Sequence, residues 1–333
     1  MTRSKKLLAA LRKDGAAYRL IQQEYGIRWQ GMTMLRNNFN FVFGSKELIL
    51  RFSPAFKKPS TELQAELKWT AFLAARGFFV NEVVLTQSGK AYLEIPVGEE
   101  LLYAVCFVRS PATAPQAEDY GPDLYRKLGD LLGRMHLASR EFAPDASFPH
   151  WYEQSKTAAF PVLPDDERQL PQLLAKLNQR FAALPRPPEE YGVIHYDVHQ
   201  GNYFLLRDQP QIPIFLFDFE LTCQGWYLQD IAVVLYYLSN RNALVGKTPR
   251  AVFEADFLLH FQEAYEQHLP DITFDAELIQ AHLLYRDLFV YAFVLDAWSG
   301  RLGLDESQQR FLHLLENNLA ERSANYAIRT TRG

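Results

Sequence analysis

Between residues 195 and 220 the chain places side chains whose types and spacing suit one kind of chemistry. His195-Tyr196-Asp197 is followed, five positions after the aspartate, by Asn202, and an apolar, strand-like run over 212–217 then ends in Asp218-Phe219-Glu220. That chemistry is phosphoryl transfer to a hydroxyl. One carboxylate must accept or orient the proton of the attacking hydroxyl. An amide oxygen and a second carboxylate must hold Mg2+ against the phosphates, because hard cations take oxygen ligands. Five residues turn a short loop far enough for Asp197 and Asn202 to face the same phosphate, and Asp218 arrives on a neighbouring hairpin strand. A hairpin turn alone also favours His, Asp, Gly and Asn, but it does not call for an Asp-Phe pair leaving an apolar strand.

The order of these parts is that of a kinase site, H-x-D-x-x-x-x-N and then an Asp-Phe dipeptide at a strand end. At these residues the chain resembles the aminoglycoside phosphotransferase and choline kinase family, the small-molecule kinases that share the protein-kinase fold. The family's loop usually reads H-G-D; here Tyr196 stands in the glycine's place, where it would narrow the pocket floor or stack on a substrate. The segment Gly225-Trp226-Tyr227-Leu228-Gln229-Asp230-Ile231-Ala232 is similar to the family's G-x-x-x-x-D-[IL]-A helix entry.

The resemblance implies an α+β, two-lobed protein-kinase-like fold. Residues 1–109 would form a nucleotide-binding N-lobe of antiparallel sheet and a helix, and 110–333 a mainly helical C-lobe with the catalytic loop, metal site and acceptor site. It implies ATP and Mg2+ as cofactors, Asp197 as the catalytic carboxylate braced by His195, and Asn202 and Asp218 as metal ligands. His199 would brace the loop as well or face the acceptor.

The elements that must position these groups are legible upstream. Alternating apolar residues over 39–43 and 47–52 around Gly44-Ser45-Lys46 predict a β-hairpin. In a kinase N-lobe its second strand carries a cation to the phosphates, and Arg51 holds that place. The G-x-G-x-x-G loop of protein kinases is absent. Helical spacing over 60–76, opened by Ser60 or Thr61 and closed by Gly77, supplies the glutamate that would fix the cation. Glu66 fits it best, with Glu62 as rival. Strand-like runs at 82–86, 91–95 and 101–108 lead to a Pro/Ala/Ser linker, the best domain boundary. By resemblance, adenine would meet the backbone of Phe107, Val108 and Arg109.

Further on, helical patterns are expected from Pro122, over 166–184 and, after the catalytic stretch, over 230–240, 250–267, 275–299 and 306–327, with an earlier helix over 5–25. Residues 140–165 read as loop. His136 has the setting of a buried, hydrogen-bonded helix histidine. The aromatics Trp226, Tyr227, Tyr236, Tyr237 and Trp298, with the acids Glu220, Asp287 and Asp296, would suit an amine-bearing substrate through cation–π and carboxylate contacts. Core aromatics and solvated acids explain them equally well. Glu220 and Trp226, nearest in sequence to the metal residues, are the substrate candidates.

Composition narrows the rest. With 333 residues, 48% hydrophobic and 22% charged, the chain is an ordinary globular protein long enough for two lobes. A net charge of −4 gives no basic surface for nucleic acid. Two cysteines, Cys106 and Cys223, make neither a disulfide framework nor a zinc site and suit a reducing compartment. No uninterrupted apolar run approaches the roughly 18 residues of a membrane span, so the expected setting is cytoplasmic. The expected function is ATP- and Mg-dependent transfer of the γ-phosphate to a hydroxyl of a small molecule, with amine-bearing molecules among the acceptors that fit. A bacterial-type Ser/Thr protein kinase and a nucleotide-binding pseudokinase-like module are the alternatives; the intact Asp197, Asn202 and Asp218 argue against the latter.

Overall fold

The structure, a computed structural model, describes residues 7–8, 11, 15–28, 31–37, 40–154, 169–246, 248–298 and 301–330. Phe39, Pro161 and Pro164, and parts of the ranges expected as helix at 5–25, 166–184 and 275–299, lie outside the described residues. By internal contacts the chain forms two compact units. The first comprises 1–113 with 204–220, and the second 114–203 with 221–333. The division falls four residues beyond the expected boundary, and the stretch carrying Asp218 and Glu220 goes with the first unit.

The first unit is built on an antiparallel sheet in the order β1 (Thr33–Asn37), β2 (Phe41–Gly44), β3 (Leu48–Pro54), β6 (Glu100–Val108), β4 (Val83–Val84), with β5 (Leu93–Val97) also paired to β6. Side chains alternate across a strand, and β6 shows the consequence. Leu102, Ala104 and Cys106 join a core with Leu50, Phe52 and Ile21 of helix α1 (Ala16–Tyr25). Tyr103, Val105 and Phe107 pack on Leu63 and Leu67 of helix α2 (Ser60–Ala74). Arg51 sits opposite Val105 in the register, so it faces α2 rather than α1. The hairpin turn is tied by Ser45, whose Oγ accepts from the amides of Glu47 (3.2 Å) and Leu48 (3.0 Å). Strands β8 (Tyr203–Leu205) and β9 (Ile214–Leu216) pair as a small hairpin that ends at Asp218.

The second unit is mainly helical: α3 (Pro122–Glu141), the short α4 (Trp151–Gln154), α5 (Gln169–Ala183), α6 (Tyr227–Val245), α7 (Arg250–Tyr265), α8 (Ala276–Ala297) and α9 (Glu306–Thr330). Helix α3 meets α7 through Gly129 and Gly133. A Cβ at Gly129 would lie 2.2 Å from the Phe261 carbonyl oxygen, and one at Gly133 2.9 Å from that of Tyr265. Strand β7 (Tyr191–Ile194) pairs antiparallel with β10 (Cys223–Trp226), Ile194 opposite Cys223. The chain leaves β7 directly into His195. Helix α8 is long and apolar enough to cross a membrane, but 78% of its apolar window is buried within the fold, the signature of a core helix. Both cysteines are buried.

Candidate active site

In the first unit a cluster of charges forms where β3, α2 and the end of β9 meet. The Arg51 guanidinium grips Glu66 as a fork, Nη1 to Oε1 at 2.7 Å and Nη2 to Oε2 at 2.9 Å. Its Nη1 also lies 4.0 Å from Asp218 Oδ1. Glu62 takes no part in this fork. Lys58, only 1% exposed, donates from Nζ to Glu66 Oε2 (2.6 Å) and to the Glu220 carbonyl (3.0 Å). Burial alone would raise the Glu66 pKa; the two cations outweigh it and hold the group down at about 2. Burial likewise opposes the Arg51 charge, and Glu66, Glu220 and Asp218 together more than offset it. A buried glutamate with two cations keeps its charge because pairing repays desolvation.

Asp218 lies at φ 67°, a left-handed conformation that Asp tolerates better than most residues. It also receives Arg36 Nη1 at 3.5 Å. Glu220 Oε2 accepts from Asn40 Nδ2 at 2.7 Å, while its Oε1 is buried without a hydrogen-bond partner. Burial raises the Glu220 pKa, against Lys58 and Arg51. An orphaned carboxylate oxygen beside a second carboxylate fits a hard divalent cation. Among the described residues no three His, Cys, Asp or Glu side chains form a metal cage. Mg2+ needs none, since it binds through one or two carboxylates plus phosphates and water.

In the second unit the loop after β7 is held by Asp230 of α6. Asp230 Oδ2 accepts the His195 amide at 2.9 Å and Oδ1 the Tyr196 amide at 2.6 Å. His136 Nε2 lies 3.2 Å from the same Oδ2, with its Nδ1 2.8 Å from the Tyr265 hydroxyl and its ring stacked on Tyr227. Tyr196 adopts φ 68°. That conformation explains a glycine in the family's motif, since it costs an ordinary L-residue about 1–2 kcal/mol. The Tyr196 ring is 4% exposed, so it lies under the loop and neither floors a pocket nor stacks on a substrate.

Asp197 has both oxygens engaged. Oδ1 accepts from Arg286 Nη2; Oδ2 accepts from Asn202 Nδ2 at 3.0 Å, and that amide also reaches the Asp197 carbonyl at 3.0 Å. The Asn202 side-chain oxygen is thereby turned to other use. His199 Nδ1 accepts the Gly201 amide at 2.9 Å, which puts its proton on Nε2, 3.5 Å from Asp197 Oδ2. His195 Nδ1 accepts the Asp197 amide at 3.2 Å. Burial disfavours the Asp197 charge, but His199, Arg286 and His195 win, and its pKa falls to about 2. An ionised carboxylate so held can accept a hydrogen bond, or a proton, from a hydroxyl.

The profile described as "Phosphotransferase enzyme family" matches residues 35–278, a span that holds all of the site residues from Asn40 to Asp230. The chain belongs to this family. Among its relatives is an amicoumacin kinase of Bacillus subtilis (strain 168), 23% identical over 249 residues, 72% of this chain and 73% of that protein. A homoserine kinase of Pseudomonas aeruginosa is 36% identical over 118 residues, a third of each chain (33% and 34%). Among solved structures, an amicoumacin kinase in complex with AMP-PNP, Ca2+ and Ami superposes with TM-score 0.82 at 22% identity, covering 95% of this chain and 96% of that one. A microcompartment-associated aminopropanol kinase follows with TM-score 0.69 at 18% identity, covering 92% and 95%. The fold is the protein-kinase-like one, and kinases of this family use ATP with a divalent metal.

Within this family member several sequence expectations change. Trp226 is 2% exposed, gives its Nε1–H to the Pro185 carbonyl at 3.0 Å and packs among Trp151, Phe181 and Tyr191. It is a core residue, not a substrate contact. Asp287 is buried and taken by Arg322 Nη1 at 2.7 Å, so it does not await an amine. Glu220 belongs with the cations and Asp218. The amides of Val108 and Arg109 are already spent on Glu82 (2.9 Å) and Glu47 (2.7 Å) carbonyls, and Phe107 is buried in the sheet core. Those two N–H groups are therefore not open to a base, and Arg109 Nη1 binds the Ser45 carbonyl at 2.6 Å.

Sequence reading missed Lys58, Asn40, Arg286 and the hydroxyl of Tyr237. Lys58 lies in a loop with no period to betray it, and Asn40 reads in the sequence as the polar position of the alternating run over 39–43. Arg286-Asp287 interrupts an apolar helix, a signal that should have been heeded, because buried charges there must find partners.

Proposed function

We propose that the protein is a kinase that moves the γ-phosphate of ATP to a hydroxyl of a small, amine-bearing molecule. The carrying observation is the Asp197–Asn202 pair, in which one amide nitrogen locks the carboxylate and leaves the amide oxygen for a cation. Asp197 orients the acceptor hydroxyl and takes up its proton as the phosphate is transferred. Asn202, Asp218 and Glu220 Oε1 are the oxygens that would hold the metal, and Arg51, fixed by Glu66, would meet the phosphates. Mg2+, when bound, neutralises charge on the transferring phosphate. The rest is positioning, which a loose phosphoryl transition state chiefly demands. The amine-bearing class rests on the relatives, which include amicoumacin, homoserine and aminopropanol kinases. None of these is named for a protein acceptor.

The role assignment is tested by binding. Asp218→Asn should weaken Mg2+-AMP-PNP binding as well as turnover, by about tenfold or more, since a ligating carboxylate is lost. Asp197→Asn should spare nucleotide affinity while abolishing turnover. Equal nucleotide affinity for Asp218→Asn and wild type would sink the metal assignment.

A further inference from the structure

We propose that Arg286 is the positioning residue of the catalytic carboxylate, and that it forms one device with Tyr196, through which a single buried guanidinium sets both Asp197 and the loop backbone. The inference rests on the kinase reading above and goes beyond it in naming how Asp197 is aimed. Arg286 is 3% exposed and lies on α8, 89 residues from the carboxylate it serves. Its Nη2 donates to Asp197 Oδ1 and to the Tyr237 hydroxyl at 2.9 Å, and its Nη1 to the Tyr196 carbonyl at 3.3 Å.

The rest of the environment leaves Arg286 little freedom. Its sequence neighbour Asp287 turns to Arg322, so Asp197 is the carboxylate with which Arg286 pairs. The guanidinium carbon stands 4.8 Å from the Phe289 ring centre, 5.2 Å from Tyr237 and 5.7 Å from Tyr196. Aromatic walls of this kind suit a planar, weakly hydrated guanidinium better than a compact, strongly hydrated ammonium. Tyr196, left-handed where the family's motif has glycine, is gripped on both sides: Asp230 takes its N–H and Arg286 its carbonyl. A left-handed tyrosine persists where its surroundings over-determine it. The same guanidinium that fixes its peptide then fixes Asp Oδ1, while Asn202 fixes Oδ2. Arg286 is buried and acts through Asp197, so it is a positioning residue and not a catalytic one.

The test compares Arg286→Lys and Arg286→Gly with wild type. Mg2+-AMP-PNP binding is measured by calorimetry. Turnover of Mg2+-ATP is measured with ethanolamine, 1-amino-2-propanol and L-homoserine, or with water as acceptor if none of the three is labelled. The expected kcat loss is about 10²-fold in both variants, the scale of a misplaced reacting group, with nucleotide affinity within about threefold of wild type because Arg286 holds no metal or nucleotide group. Added guanidinium ion at non-denaturing concentration should restore at least about tenfold of the loss in Arg286→Gly and none in Arg286→Lys, since only the former leaves the fork's place open. The lysine variant keeps a cation in the fold should the glycine variant fail to fold. A kcat within threefold of wild type in the lysine variant, or parallel loss of affinity and turnover without rescue, would overturn the proposal. A wild-type protein that binds no AMP-PNP would fail a step earlier, against the phosphotransferase reading itself.

Discussion

His282 shows what a single side chain costs and contributes away from the chemistry. It is buried on α8, its ring stacked on Phe181 at 4.4 Å, and neither ring nitrogen has a hydrogen-bond partner. Burial, with Arg180 nearby, depresses its pKa to about 3. The folded protein therefore keeps the ring neutral where the unfolded chain, with a histidine pKa near 6.5, takes a proton. Stability is intact above pH ~6.5 and is lost as pH falls toward ~3, by at most about 1.4 kcal/mol per unit. Urea midpoints at pH 7 and pH 5 should thus differ more in wild type than in His282→Phe, which keeps the stacked ring and has no proton to bind. Buried His136 is depressed in the same direction, so the slope should flatten rather than vanish. An unchanged slope in His282→Phe would show that the ring is protonated or hydrated in the folded protein.

At the level of elements, the α3–α7 contact is decided by backbone. Gly129→Ala would gain about 1 kcal/mol of helix propensity in isolation. Its Cβ, however, would stand 2.2 Å from a backbone carbonyl oxygen of α7, which cannot rotate aside as a side chain could. The helices must separate, and overpacking of this kind costs about 1–3 kcal/mol. A net fall in melting temperature is expected, whereas a rise would mean the two helices sit farther apart than described. The elements also show what a sequence discloses. The β2–β3 hairpin and α2 are legible because period-two and helical patterns lie within single stretches, whereas the face Arg51 takes is settled only by its pairing with Val105. The catalytic loop is legible because its chemistry is packed into eight consecutive residues, 195–202. Lys58 and Arg286 are not, because their meaning lies in partners far along the chain. Trp226 misled for the same reason: nearness in sequence to Asp218 says nothing about burial against Trp151 and Phe181.

For the whole molecule, the stretch 195–220 that announces the chemistry is divided between the two units, with Asp197 and Asn202 in one and Asp218 and Glu220 in the other. A motif contiguous in sequence is thus shared between two compact units. The central claim concerns what the complete chain does. Label from γ-labelled ATP, with Mg2+, should be followed into ethanolamine, 1-amino-2-propanol, L-homoserine, aminoglycosides, neutral sugars and a generic protein, with Asp197→Ala alongside. The expected result is a labelled amine-bearing small molecule that disappears in Asp197→Ala, at a loss of about 10²-fold or more, the scale on which a general base contributes. Label appearing on protein alone, or undiminished in the variant, would contradict it.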